Sequence, residues 1–168
     1  DCGYQRRGSL QLAGSASEED ELLASAALLR EDGFSADERQ GEQLGGALVG
    51  AGFHVGVHLP DDGELQPARF VRGVAQAAMA DGVRLFEGTP ALGLDAPAPG
   101  DARVRTPRGT VSASIALVCT NAAAGALLPA LATVIDPVRG QMLATAPAPP
   151  LFDCPIYADH GFDYWRQD

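Results

Sequence analysis

A chain of 168 residues with 46% apolar side chains has room for one core, or for a small domain and part of another, and it holds no run of about eighteen apolar residues that could cross a membrane as a helix. Its formal net charge of −10 argues against nucleic acid and anionic membrane as partners, which both require a basic surface, and all 12 basic residues are Arg, so Schiff-base chemistry on a Lys is excluded. Cys2, Cys119 and Cys154 lie too far apart for a disulfide framework or a zinc pattern, which suits a cytoplasmic location.

In chain order, Arg7 to Ala13 alternates and predicts a strand. Ser15 with Glu18 is a capping box, and Glu19, Asp20 and Glu21 favour a helix start. Leu22, Leu23, Ala26, Ala27 and Leu29 supply that helix with an apolar stripe, and Gly33 ends it. A shorter acidic helix is expected over Ala36 to Leu44. Phe53 to Leu59 alternates as a second strand, closed by the turn Pro60-Asp61-Asp62-Gly63. His54 and His58 would share a face of that strand, but no Asp, Glu or Cys completes a ligand set at a familiar spacing, so no metal is expected. Pro67 opens a helix that Phe70, Val71, Val74, Ala75, Ala78 and Met79 carry to Gly82. Val83 to Phe86 reads as a short strand, and Asp95 to Gly100 as a surface loop. Arg103 to Thr106 and Thr110 to Ala113 form a hairpin around Pro107-Arg108-Gly109. Ile115 to Cys119 is an unbroken apolar run, suited to a strand buried on both faces of a parallel sheet, with Cys119 a buried thiol. A helix is expected over Ala122 to Leu131, a long strand interrupted at Gly140 over Val134 to Thr145, and final strands at Ile156-Tyr157 and Phe162 to Arg166. The fold class that follows is α+β with an α/β fragment attached.

Several short strings occur in a telling order: Gly8 to Ala13, Gly63 to Pro67, Gly82 to Thr89, Thr106 to Val111, Cys119 to Ala122 and Pro137 to Gln141. Together they resemble the D-amino-acid oxidase, glycine oxidase and sarcosine oxidase superfamily of FAD-dependent oxidoreductases. Gln141 to Thr145 and Phe162 to Arg166 look most like gamma-glutamylputrescine oxidase and its relatives. The resemblance implies a substrate-binding domain with a mixed or antiparallel sheet and flanking helices over residues 1–81 and, incompletely, 134–168. Residues 82–133 would be a segment of the FAD-binding domain. The implied reaction oxidises the C–N bond of a small amine or amino acid to an imine, with hydride transfer to FAD. The superfamily's N-terminal G-x-G-x-x-G, which seats the flavin pyrophosphate on a helix N-terminus, does not occur here, and neither does an initiator Met. The expectation is therefore an internal portion that is inactive alone, does not retain FAD, and either associates with another copy or is marginally folded. Two further functions stay open: a flavin dehydrogenase passing electrons to a quinone or protein acceptor, and a stand-alone binding domain without flavin.

The same resemblance nominates site residues. Ala91 falls where backbone groups hold the adenine, and Cys119, Thr120 and Asn121 form the turn beside the nucleotide. Ala123 departs from the Trp or Tyr often found there. Gly140 is read as a backbone requirement and Arg139 as a structural or interface charge. Tyr164 and Arg166 are the substrate-binding candidates: alternation sends them to one face of their strand and Trp165 to the other, and a guanidinium with an aromatic wall suits an amine that carries a carboxylate. No catalytic residue is assigned.

Overall fold

The structure is a computed structural model and describes residues 1–167. In chain order its elements are β1 (Ser9–Ala13), α1 (Ala16–Glu31), β2 (Asp37–Gln40), α2 (Gly46–Gly50), β3 (Val55–Leu59), α3 (Pro67–Ala80), β4 (Gly93–Ala98), β5 (Asp101–Thr106), β6 (Gly109–Ala113), β7 (Ile156–Ala158) and β8 (Asp163–Trp165). Short 3-10 turns cover Gly41–Leu44, Asn121–Ala126, Pro129–Thr133 and Asp159–Gly161. Two compact units result: Asp1–Gly82 with Ala146–Asp168, and Val83–Thr145.

The first unit is built on a five-stranded sheet of order β2-β3-β1-β7-β8. Only the β1–β7 pair is parallel; the other pairs are antiparallel. Alternation in β1 sends Leu10 and Leu12 to one face of the sheet. Leu10 and Leu12 pack with Leu44, Leu48, Ile156 and Ala158, and Phe53, Phe152, Cys154 and Trp165 close over them. On the other face Ala26 of α1 meets Ala36 and Val57, with Leu22, Leu29 and Leu59 around them. Each fully buried aliphatic chain contributes roughly 1.5–3 kcal/mol, so these two clusters hold the unit together. Close packing also dictates Gly56: a Cβ there would lie 2.9 Å from Gln11 O and 3.0 Å from a Leu44 methyl.

Both ends of α1 are set by local chemistry. Ser15 Oγ accepts from the Glu18 amide at 3.3 Å, and Glu18 reaches back to the Gly14 amide at 2.7 Å. At the far end Phe34 N–H donates to Leu29 O and Gly33 N–H to Arg30 O, with Gly33 at φ +87, a left-handed glycine cap. α3 starts at Pro67 with Gln66 as its cap, and none of its residues is buried.

The second unit carries a three-stranded antiparallel sheet, β4-β5-β6. The architecture is thus α+β, a mixed sheet with helices and an antiparallel sheet. Several local expectations give way to tertiary pairing. Residues 37–40 form β2 rather than an acidic helix, because Asp37 to Gln40 find ladder partners in His58 to Val55. Residues 93–98 form β4 rather than a loop; Pro97 is tolerated there because the register with β5 shifts between Asp95 and Ala98 on an edge strand. Over 122–131 the helix gives way to two 3-10 turns, since Pro129 lacks an N–H and disfavours helical geometry before it. Among the described residues no strand forms over 83–86, 115–119 or 134–145. Ile115, Leu117, Val138, Met142 and Leu143 are all more than four-fifths exposed. A strand lacking a ladder partner cannot satisfy its backbone, so apolar strings that suit a buried sheet form no strand here.

Candidate functional site

β8 places the aromatic and cationic candidates. Tyr164 pairs with Tyr157 of β7, their ring centroids 6.3 Å apart, and both rings are exposed. Trp165 turns to the opposite face, 6.4 Å from Phe53 and 6.3 Å from Phe152, and serves the core. Arg166 lies one residue past the end of β8, so its direction is set by its own contacts rather than by the ladder. Its Nη1 donates to Leu65 O at 2.9 Å and stands 3.9 Å from Glu64 Oε2. Glu64 Oε1 is 3.3 Å from Arg7 Nη1. Tyr164 and Arg166 therefore have different partners: the first belongs to the β7–β8 ladder, the second to the loop before α3.

That loop is strapped down by the first residues of the chain. Gln5 and Glu64 exchange backbone hydrogen bonds of 2.9 Å, Gly8 N–H donates to Asp62 O, and Gln66 N–H donates to Cys2 O. Ser9 Oγ donates to Asp62 Oδ2 at 2.5 Å, and Arg6 pairs with Asp61. Sequence reading recognised the 60–63 turn but not its strap, because the contacts join segments more than fifty residues apart.

A second feature was not anticipated. A cleft of about 280 Å³ is lined by Gln11, Glu18, Glu21, Tyr157 and His160, among others. Asp159 and His160 both take positive φ, +49 and +52, and the His160 amide donates to Glu18 Oε1 at 2.9 Å. That bond first, and the Gly14 amide second, hold the Glu18 carboxyl below its ordinary value. The Asp159-His160-Gly161 string is a turn signal that could have flagged this corner.

In the other unit, Ala91 is exposed beside Leu92, whose N–H donates to Arg105 O at 2.7 Å. Cys119, Thr120 and Asn121 are exposed too, and Asn121 adopts φ +47, which Asn tolerates better than most residues. Cys119 is thus not the buried thiol expected of a sheet strand, because the strand that would bury it is not formed. Cys154 is the partly buried one, and burial pushes its thiol up. His54 precedes β3 and is exposed, whereas His58 is in β3 with its Nδ1 buried, 3.7 Å from Asp37 Oδ2. No group of three His, Cys, Asp or Glu side chains among the described residues could hold a metal ion. No helix among them is long and apolar enough to cross a membrane.

Residues 1–167 match the FAD dependent oxidoreductase family, DAO. The chain belongs to that family. A glycine oxidase of Bacillus licheniformis is 32% identical over 141 residues, covering 82% of this chain and 37% of that protein. Among solved structures, glycine oxidase from Geobacillus kaustophilus superposes with a TM-score of 0.73 at 22% identity, over 95% of this chain and 44% of its own. L-proline dehydrogenase from P. horikoshii superposes with a TM-score of 0.72 at 17% identity, over 99% of this chain and 47% of its own. The chain spans 24% and 37% of the lengths of two curated relatives that it matches. Family membership makes FAD the relevant cofactor. The 119–121 turn fits such a group: its side chains are small and exposed, and a left-handed residue leaves its backbone open to close approach.

Proposed function

We propose that this chain is an internal portion of a longer flavin-dependent oxidoreductase that oxidises the C–N bond of a small amine or amino acid to an imine. Membership in the FAD dependent oxidoreductase family over residues 1–167 is the observation that carries this reading. In it, residues 1–81 and 134–168 belong to the substrate-binding domain and residues 82–133 to the FAD-binding domain. Bound FAD would accept the hydride from the carbon bearing the amine. The chain's own residues bind and orient. Backbone groups at Ala91 and at Cys119, Thr120 and Asn121 hold the nucleotide end of the cofactor. Arg166 grips a substrate carboxylate, and Tyr164 supplies an aromatic edge. The strings at 141–145 and 162–166, similar to gamma-glutamylputrescine oxidase, favour a substrate that carries both an amine and a carboxylate. The Arg166 guanidinium is half-buried and its Nη1 donates to Leu65 O, which restricts its geometry as carboxylate recognition needs.

Arg166→Ala in the full-length, FAD-loaded protein tests the assignment. The KM for a carboxylate-bearing amine should rise by about one to three kcal/mol of lost binding, with an unchanged flavin spectrum and little effect on an amine lacking a carboxylate. Equal losses on both amines would make Arg166 a structural residue.

A further inference from the structure

We propose that the cleft between α1 and the β7–β8 side of the first sheet binds a small organic ammonium ion, a role separate from the flavin reaction. Ladder register builds its floor. Val57 of β3 pairs with Gln11 of β1, Gln11 with Tyr157 of β7, and Tyr157 with Tyr164 of β8. Paired residues share a face, so these four form one row across the sheet. α1 packs on the Val57 end of that row through Ala26 and leaves the tyrosine end uncovered, with both rings exposed. The step where the helix stops covering the sheet is the cleft of about 280 Å³, a volume suited to a ligand the size of a small amine.

The walls carry a surplus of negative charge. Glu18 and Glu21 line the cleft from α1 and His160 from the turn after β7, and no Arg is among the lining residues. Even a protonated His160 would offset only one of the two carboxylates. The His160 and Gly14 amides hold the Glu18 carboxyl below its ordinary value, which keeps it ionised. Glu21 is 67% exposed, with His160 Nδ1 3.9 Å away, so its oxygens are open to a ligand. The carboxylates do not carry the inference alone. Tyr157 lines the same space, its ring 6.3 Å from that of Tyr164, and an aromatic face attracts a cation. The Gln11 side chain also lines it and has no hydrogen-bond partner among the described residues, so its amide oxygen is available to an ammonium N–H. Charge, ring and amide oxygen beside the apolar Leu22 complement an alkylammonium. An anion would meet two carboxylates, and a neutral molecule would use neither the charge nor the ring.

The probe that tests this is tert-butylammonium. The carbon bearing its nitrogen has no hydrogen, so it cannot become an imine, and tert-butanol is its neutral counterpart of the same shape. Isothermal titration calorimetry of the full-length, FAD-loaded protein should show saturable binding of the ammonium and none of tert-butanol. Glu21→Gln and Tyr157→Leu should each raise the Kd for the ammonium about threefold, the scale of an exposed ion pair or cation–π contact. Both side chains are exposed, Tyr157 at 38%, so neither substitution opens the core. Glu42→Gln removes a carboxylate from the Gly41–Leu44 turn, outside the cleft, and should leave the Kd unchanged. Absence of saturable binding, equal binding of tert-butanol, or a Kd that neither Glu21→Gln nor Tyr157→Leu alters would overturn the site. So would an equal rise in Glu42→Gln, which would trace the binding to the overall acidity of the chain.

Discussion

Ile156→Ala probes the element that carries the candidate substrate strand. Ile156 is 1% exposed, pairs with Leu10 of β1 on one side and Trp165 of β8 on the other, and packs in the larger core cluster. The substitution removes three carbons. At about 0.8 kcal/mol per buried carbon, transfer alone costs about 2.4 kcal/mol. β7 has three residues and is pinned in ladders on both edges, so the site cannot collapse freely and the cavity adds to the loss. The expected total is about 3–4 kcal/mol, inside the range of roughly 2–5 for such truncations. Urea unfolding of the full-length, FAD-loaded protein reads it as a lower midpoint at constant slope. Because β7 holds β8, affinity for a carboxylate-bearing amine should fall as well. A loss under about 1 kcal/mol would mean that Ile156 is not the packed centre of this sheet, and the placement of β8 would lose its support.

Gly56→Ala should destabilise by about 1–3 kcal/mol, because the added methyl meets Gln11 O at 2.9 Å, which is backbone and cannot yield; thermal melting checks this. The Glu18 carboxyl has a folded value below its ordinary 4.5, so its contribution is present above the unfolded value and is lost as pH falls through the folded one. Melting curves at falling pH should therefore show a smaller acid-side loss in Glu18→Gln than in the parent, and identical pH slopes would refute the His160 and Gly14 contacts as its cause. The chain alone should purify colourless, since adenine-side contacts cannot offset the cost of ordering the cofactor; a stoichiometric flavin spectrum would contradict that. Oxygen uptake by the full-length, FAD-loaded protein with substrate identifies oxygen as the acceptor, and turnover only with a quinone or protein acceptor identifies a dehydrogenase.

The sequence disclosed those elements whose signals are local. Ser15, Glu18 and Gly33 bound α1, Pro67 opens α3, and Pro107-Arg108-Gly109 turns the β5–β6 hairpin, each through chemistry within a few residues. Trp165 and Tyr164 took opposite faces because strand alternation requires it. What escaped was non-local. β2 exists because β3 offers it a partner, against the helical bias of 36–44. The apolar strings at 115–119 and 134–145 read as strands, but none forms there among the described residues. The contact of Arg166 with Glu64 and Leu65 depends on a strap from residues 2–9 across the 61–66 loop, which no spacing rule reveals.

The most direct measurement is the anaerobic absorbance of the full-length, FAD-loaded protein as small amino acids and amines are added one at a time. An amine-bearing substrate with a carboxylate should bleach the oxidised flavin band, and the organic product should be the imine or its hydrolysis product. A correctly loaded flavin that no amine or amino acid reduces would contradict the account.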